Sequence, residues 1–359
     1  DVPTRHFLVP KLTEAEVKET VQTIEHLSAI YEHGSQDFKA LLNIPFNLWL
    51  TEKLLTSNPD APGLSSVRSE VELLGLFWRY RVIEGSLGPD RETVLHRVTA
   101  LMVEKRTLAI TKQEAYEIGA NLAWESLMSS EILLLPPYFS QRVSFSHNIL
   151  FDYAVSVLLI EDDPERLAQF VGVDASRPLF LRPSLNYYFT RLWQQKPDTF
   201  WRVFWGILPN TTLHIRIFAR VVPTSVIVTE AREIQQLLPL LQHLASKDAL
   251  GIEATLRVFQ ALRALQIKND RLWSNFVKQA SVRLHREFAW DLAMITTDIL
   301  ESATANSDDE SRSDCGHAGR NLLAWVWELR KGKPEFRLDT LGGTWGVRLV
   351  ARSFSTDPR

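Results

Sequence analysis

The feature that most constrains this chain is the helical spacing of its apolar residues. Along almost all of the 359 residues, leucine, valine, phenylalanine and tryptophan recur three or four positions apart, the pattern of amphipathic helices. For example, Val17, Val21 and Ile24 follow the capping box Thr13–Glu16. Only 15 glycines are present to interrupt such helices. The pattern predicts a fold that is mainly all-α.

One short region departs from the helical period. Ile132–Leu135 and Arg142–Phe145 have the spacing of two short strands, separated by Pro136-Pro137-Tyr138. Helices are predicted before them, and a closing helix is predicted from about Ser146. Three helices, one small β-hairpin and a closing helix are the ordered parts of a winged-helix domain, which we place at residues 63–162.

The remainder of the chain is predicted to be helical on both sides of that domain. Residues 1–62 form a helical linker or small helical domain, in which Pro45 suits the first turn of a helix. Residues 163–359 alternate helix and short break, which is typical of an α-solenoid of HEAT-like helix pairs. Candidate helices there include residues 318–331 and 343–353. The Ser- and Asp-rich stretch at 306–319 is predicted to be a mobile loop.

Composition excludes several classes of protein. The net charge of −3 gives no general surface for polyanions. The apolar runs are far shorter than the roughly 18 residues of a membrane span. A single cysteine, Cys315, excludes a disulfide scaffold and fits a reducing compartment. We therefore expect a cytoplasmic protein, and the start at Asp1 rather than Met suggests a fragment of a longer chain.

The sequence has no motif for nucleotide hydrolysis. A phosphate-binding loop needs a Gly-rich turn ending in Gly-Lys-Ser/Thr, whereas Gly332-Lys333 is followed by Pro334. The apolar run Val157–Asp163 resembles a Walker B strand, but it continues a helical stripe and ends in a good helix stop. Cys315 and His317 have no second pair of ligands for zinc. We therefore expect no catalytic residue, no metal site and no enzyme activity in this chain.

DNA binding by the predicted winged helix is a weaker alternative. Its recognition helix would run over about Asn121–Ser130, which contains Glu125 and no lysine or arginine. Contacts with phosphates supply most of the affinity for DNA, and such contacts need cations. We therefore expect no nucleic-acid partner.

Three segments, taken in order, resemble the STAND-class signalling ATPases, which include the NACHT family. They are Phe7–Glu16, Leu42–Leu48, and Val143–His147 followed by Phe151-Asp152-Tyr153. In that class, a "pLt-x-eE" helix follows the ATPase core, a helical domain carries "nPl-x-L", and a winged helix ends in "F-x-H". The resemblance covers about residues 5–160 and is only architectural beyond them.

The resemblance implies roles for two residues. Pro45 matches the proline that packs against the adenine of bound nucleotide, and His147 matches the histidine that contacts the β-phosphate of ADP in the inactive state. A helix N-terminus is a natural phosphate site, which agrees with the second role. Two simpler interpretations stay open: Pro45 only starts a helix, and His147 is only a packed side chain. Either nucleotide contact would be made in the full-length protein.

The resemblance also implies a function for the whole chain. It would be the regulatory and ligand-sensing portion of a STAND-like ATPase in signal transduction, with a winged helix gating nucleotide and helical repeats binding a protein ligand. The phosphate loop and Mg²⁺ ligands are missing, so we expect no cofactor in this chain, and ADP or ATP with Mg²⁺ in a full-length parent that has an N-terminal ATPase core. The alternative is a stand-alone helical-repeat scaffold for protein interactions that has no nucleotide role.

Overall fold

The computed structural model describes residues 10–116, 121–135, 141–210, 212–246, 248–265, 270–283, 289–302 and 309–330. In this part of the chain the structure has nineteen α-helices and one small three-stranded sheet. The mainly all-α fold predicted from the apolar spacing is therefore confirmed. No helix among these residues is both long enough and apolar enough to cross a membrane.

Four helices precede the sheet region. They are α1 (Glu14–Thr23), α2 (Leu27–His33), α3 (Gln36–Leu41) and α4 (Pro45–Ser57). The predicted capping box is present, because the Glu16 N–H donates to Thr13 Oγ1 at 3.3 Å and the Thr13 N–H donates to Glu16 at 2.7 Å. The start of α4 at Pro45 is also as predicted, since a proline at the first helical position gives up no helical hydrogen bond.

A region that contains both helices and strands follows. The elements are α5 (Glu70–Trp78), α6 (Gly88–Lys105), β1 (Ala109–Thr111), α7 (Lys112–Tyr116), α8 (Asn121–Ser129), β2 (Leu133–Leu134), β3 (Arg142–Phe145) and α9 (Asn148–Leu158). A π-helical turn, Arg79–Ile83, follows α5 directly. Helix α6 packs on α8 and α9, and buries Val94, Val98 and Met102.

The predicted hairpin is present, and a further strand joins it. β2 pairs antiparallel with β3, with Leu133 opposite Phe145, and β1 pairs with the other edge of β3. The order is β1-β3-β2. β1 was not predicted, because three residues are too few to show alternation. The turn Pro136-Pro137-Tyr138 lies outside the described residues.

The rest of the described chain is helical. The helices are α10 (Pro164–Val171), α11 (Arg177–Phe180), α12 (Arg182–Gln195), α13 (Pro197–Ile207), α14 (Leu213–Glu230), α15 (Leu238–Ala245), α16 (Ala249–Leu265), α17 (Asp270–Ser281), α18 (Ala289–Ser302) and α19 (Asp309–Arg330). Sequential neighbours pack on one another, as α13 does on α14 and α15 on α16, and α17 packs on α19.

The chain divides into two compact units. Unit 1 contains Asp1–Glu161 and Phe180–Arg191, and unit 2 contains Asp162–Leu179 and Leu192–Arg359. The predicted domain bounds, 1–62, 63–162 and 163–359, stay predictions.

The prediction of a mobile loop at 306–319 is wrong for residues 309–319, the part of it that the structure describes. Helix α19 begins at Asp309 and buries Cys315 and Ala318. Asp314 is held by the Lys278 ammonium of α17 at 2.6 Å. The contact between Asp314 and Lys278 stabilises a helix in this polar segment. The composition of the segment does not predict that contact. The candidate helix at 343–353 lies outside the described residues.

Candidate functional site

The first wall of the candidate site is the start of helix α4. Ile44 is extended, with φ −93° and ψ 116°, and Pro45 then begins the helix. Phe46 and Trp49 are three residues apart, so they project from neighbouring positions on the helix, and their rings stack with centroids 5.7 Å apart. Asn47, Leu50 and Leu54 are buried in the core of unit 1. The α4 N-terminus therefore presents a partly exposed aromatic face.

The second wall is the connection between β3 and α9. His147 is extended, with φ −143° and ψ 142°, and its side chain caps α9. The Ile149 N–H donates to Nδ1 at 3.2 Å. The imidazole also lies against the Phe46 ring, with centroids 4.1 Å apart. Two elements distant in sequence therefore meet at the His147–Phe46 contact, within unit 1.

The protonation state of His147 follows from these contacts. Burial lowers its pKa below the ordinary value, and the Glu70 carboxylate opposes that change. An Nδ1 that accepts the Ile149 N–H has no proton of its own, so the neutral ring carries its proton on Nε2. At neutral pH, His147 thus has one N–H donor left for a ligand.

These walls border an open pocket of about 580 Å³, a volume within the usual range for small-molecule sites. The lining residues are Ile44, Pro45, Phe46, Trp49, Glu131, Leu134, Ser146 and His147. Most of them are apolar or aromatic. The Ser146 hydroxyl is buried and has no hydrogen-bond partner among the described residues, so this lining residue offers a polar group that a ligand could satisfy.

Both predicted site residues line this one pocket. Sequence reasoning missed its other polar members, Glu131 and Ser146, as well as Phe46 and Trp49. The i, i+3 spacing of Phe46 and Trp49 was the available signal for the aromatic wall. No sequence pattern around Glu131 indicates its place in the pocket.

A second polar cluster involves Asp152 of α9. Ser184 Oγ donates to Asp152 Oδ1 at 2.7 Å, and the Tyr187 hydroxyl donates to Glu70. Burial raises the pKa of Asp152 to about 6, although the Ser184 hydrogen bond opposes this. The carboxyl of Asp152 therefore titrates near physiological pH, within a contact between α9 and α12.

The other sequence candidates do not form sites in the described residues. The Val157–Asp163 run is not a strand: α9 ends at Leu158, and Asp163 caps α10 by accepting the Arg166 N–H at 2.9 Å. The described residues hold no group of three or more histidine, cysteine or acidic residues suited to a metal ion. Cys315 is buried within unit 2.

No model of a known protein family matches this chain, and no curated protein sequence matches it.

Proposed function

We propose that this chain is the regulatory and ligand-sensing portion of a STAND-like signalling ATPase, and that the pocket on unit 1 contacts its nucleotide. One observation carries the proposal. Pro45 and His147 were selected from two separate motifs of the sequence, and both line the same cavity. The two motifs are joined through Phe46, whose ring centroid lies 4.1 Å from that of the His147 ring.

The arrangement of elements supports a winged helix. Helices α5, α6 and α8 precede the β2–β3 hairpin, α9 closes the domain, and β1 pairs on the free edge of β3. In this proposal α8 is the recognition-like helix. Its exposed side chains include Leu122 and Glu125 rather than cations, which argues against DNA readout.

The pocket suits part of a nucleotide. Phe46 and Trp49 offer rings for a flat base, and Pro45 adds an apolar surface. His147 Nε2–H and the Ser146 hydroxyl are donors of the kind that phosphate oxygens accept. Among the described lining residues there is no lysine or arginine, so the remaining phosphate charge would be met by the Lys and Mg²⁺ of the ATPase core in the parent protein. ADP or ATP with Mg²⁺ is thus the proposed cofactor of the parent, and this chain contributes Pro45 and His147.

In the proposed switch, His147 holds the closed state. Its ring orientation is fixed by the Ile149 N–H and by Phe46, so a donor at Nε2 is set in place before nucleotide arrives. A contact made only in the closed state biases the equilibrium toward that state. Opening would follow when a protein ligand binds the helical repeats, for which the exposed Ile217 and Val221 of α14 offer an apolar surface.

ADP release from the full-length protein tests this function. His147→Ala removes a hydrogen bond to a charged group, worth roughly 1.5–3 kcal/mol, so ADP should dissociate about ten- to a hundred-fold more readily. The matched control is His96→Ala, an exposed histidine of α6. Equal retention by both variants would leave His147 as a capping residue only.

The competing proposal is a helical-repeat scaffold with no nucleotide role. The lack of a cation among the described lining residues favours it. Under this alternative, the aromatic rings of the pocket are a surface left by packing, and neither Pro45 nor His147 affects nucleotide retention. The same release assay separates the two proposals.

A further inference from the structure

Glu131 is the one charged residue among the described residues that line the pocket. Its side chain is about half exposed, at 54%. In a pocket whose other polar groups are a hydroxyl and a neutral imidazole, this carboxylate decides which part of a ligand can lie beside it. An ionised carboxylate only accepts hydrogen bonds, and it repels phosphate oxygens.

The backbone conformation at Glu131 is one that favours glycine, so the presence of a glutamate there is informative. The residue has φ 55°, in the left-handed region. The Glu131 N–H donates to the Met128 carbonyl, and the Ile132 N–H donates to the Leu127 carbonyl, the two bonds of a Schellman ending to α8. Glycine is the favoured residue at this position. A glutamate here keeps a carboxylate at the pocket despite a conformational cost.

Two cations lie near the Glu131 carboxylate: Lys53, which pairs with it directly, and Arg81, where the Glu131 charge partly offsets the lowering of the pKa by burial. Lys53 Nζ lies 2.9 Å from Oε2, and the Lys53 side chain is 26% exposed. Within the described part of the chain, Oε1 has no hydrogen-bond partner. Lys53 belongs to α4, the helix that begins with Pro45 and presents Phe46 and Trp49. The helix that supplies the aromatic wall thus also orients the acceptor.

We infer that Glu131 is a specificity-determining residue that accepts a hydrogen bond from the nucleoside part of the ligand, with Lys53 as the positioning residue. The inference rests on the proposed function. Phosphates lie toward His147 and Ser146, and the donor that meets Glu131 is either a ribose hydroxyl or the amino group of the base. Both are neutral donors, so the chemistry is the same and analogues distinguish the source.

Calorimetric titration of the full-length protein, in which the ATPase core meets the phosphates, with three ligands tests the inference. They are ADP, 2′-deoxy-ADP, and purine riboside 5′-diphosphate, which lacks the amino group. The wild type should bind ADP about tenfold or more tightly than whichever analogue lacks the recognised donor. Glu131→Gln should weaken ADP binding by a similar factor and remove that discrimination. Glu125→Gln, on the exposed face of α8, should change neither.

Glu131→Gly distinguishes a loss of ADP binding from a loss of folding. Glycine suits the left-handed backbone, so this variant should be at least as stable as the wild type while losing ADP affinity and discrimination. Lys53→Met should reduce the discrimination and Lys53→Arg should restore it, which a purely structural lysine would not do.

The sign of the Glu131→Gln effect separates the inference from its rival. If Glu131 were only a partner of Lys53, removing its negative charge would leave the binding of anionic ADP unchanged or tighten it. Unchanged or tighter binding, or discrimination that survives in Glu131→Gln, would overturn the inference while leaving the nucleotide proposal intact. Failure of the wild-type full-length protein to bind any of the three ligands would overturn both.

Discussion

Replacing His147 should destabilise unit 1 in a way that separates its capping role from any ligand contact. His147→Ala removes the side-chain cap of α9, worth about 1 kcal/mol, and the ring contact with Phe46, worth about 0.5–1.5 kcal/mol. The free energy of unfolding should fall by about 1–3 kcal/mol. His147→Asn keeps a side-chain acceptor for the Ile149 N–H, so it should lose only the ring contact.

The pH dependence provides a second check on the same residue. Because burial lowers the pKa of His147 in the folded state, the unfolded chain binds a proton at a higher pH than the folded chain does. The stabilisation from the neutral ring is therefore fully present above about pH 6.5, and it is lost as the pH falls toward the lowered pKa. His147→Asn lacks this group and should lose less stability between pH 7 and pH 5.

Urea unfolding of the wild type, His147→Ala and His147→Asn at pH 7.5 and 5.5 measures both effects. His96→Ala serves as the control and should match the wild type at each pH. Two results would refute the reasoning: equal destabilisation by alanine and asparagine, or an identical loss of stability on acidification in the wild type and in His147→Asn.

Three further predictions concern other parts of the chain. Asp152→Asn should stabilise the fold at pH 7 by up to about 3 kcal/mol, because the raised pKa of about 6 marks an unfavourable buried charge. That gain in stability should vanish as the pH falls through 6 toward 4. Urea titrations at pH 7 and pH 4 test it. Lys278→Ala and Asp314→Ala should couple by about 1–3 kcal/mol in a double-mutant cycle, because the Asp314 carboxylate is 8% exposed and holds α19 on α17. Losses of unfolding free energy that simply add would contradict that contact. The purified chain should not turn over ATP in a phosphate-release assay, since its sequence has no phosphate loop; turnover that a single substitution in this chain abolishes would contradict this.

Local rules of sequence predicted the helix starts. The Thr13–Glu16 box and Pro45 act through the backbone of their own first turn, so no tertiary information is needed. Thr111 and Glu114 make reciprocal hydrogen bonds of the same kind at the start of α7. In each case the deciding contact spans three residues or fewer.

Features that depend on distant partners were missed. β1 exists because Ile110 pairs opposite Val143 on β3, and three residues carry too little pattern to predict that pairing. Helix α19 depends on the contact of Asp314 with Lys278, which a Ser- and Asp-rich composition hides. Tertiary contacts outweighed local propensity in both places.

The same distinction applies to the candidate site. Sequence motifs identified Pro45 and His147, but no local pattern indicated that the two residues line one cavity. Glu131 enters that cavity through the Schellman turn after α8, and its left-handed backbone can be recognised only in the folded chain. The sequence thus predicted two contact residues, and the structure added the aromatic wall and the acceptor.

The most direct test of the central claim is photolabelling of the full-length protein with 8-azido-ADP, which reacts close to the base. We predict crosslinks on the Ile44–Trp49 segment beside Pro45, detected by peptide mass spectrometry and suppressed by excess ADP. Labelling should weaken in His147→Ala and persist in His96→Ala. Labelling that excess ADP does not suppress, or that falls on unit 2, would contradict a nucleotide site between Pro45 and His147.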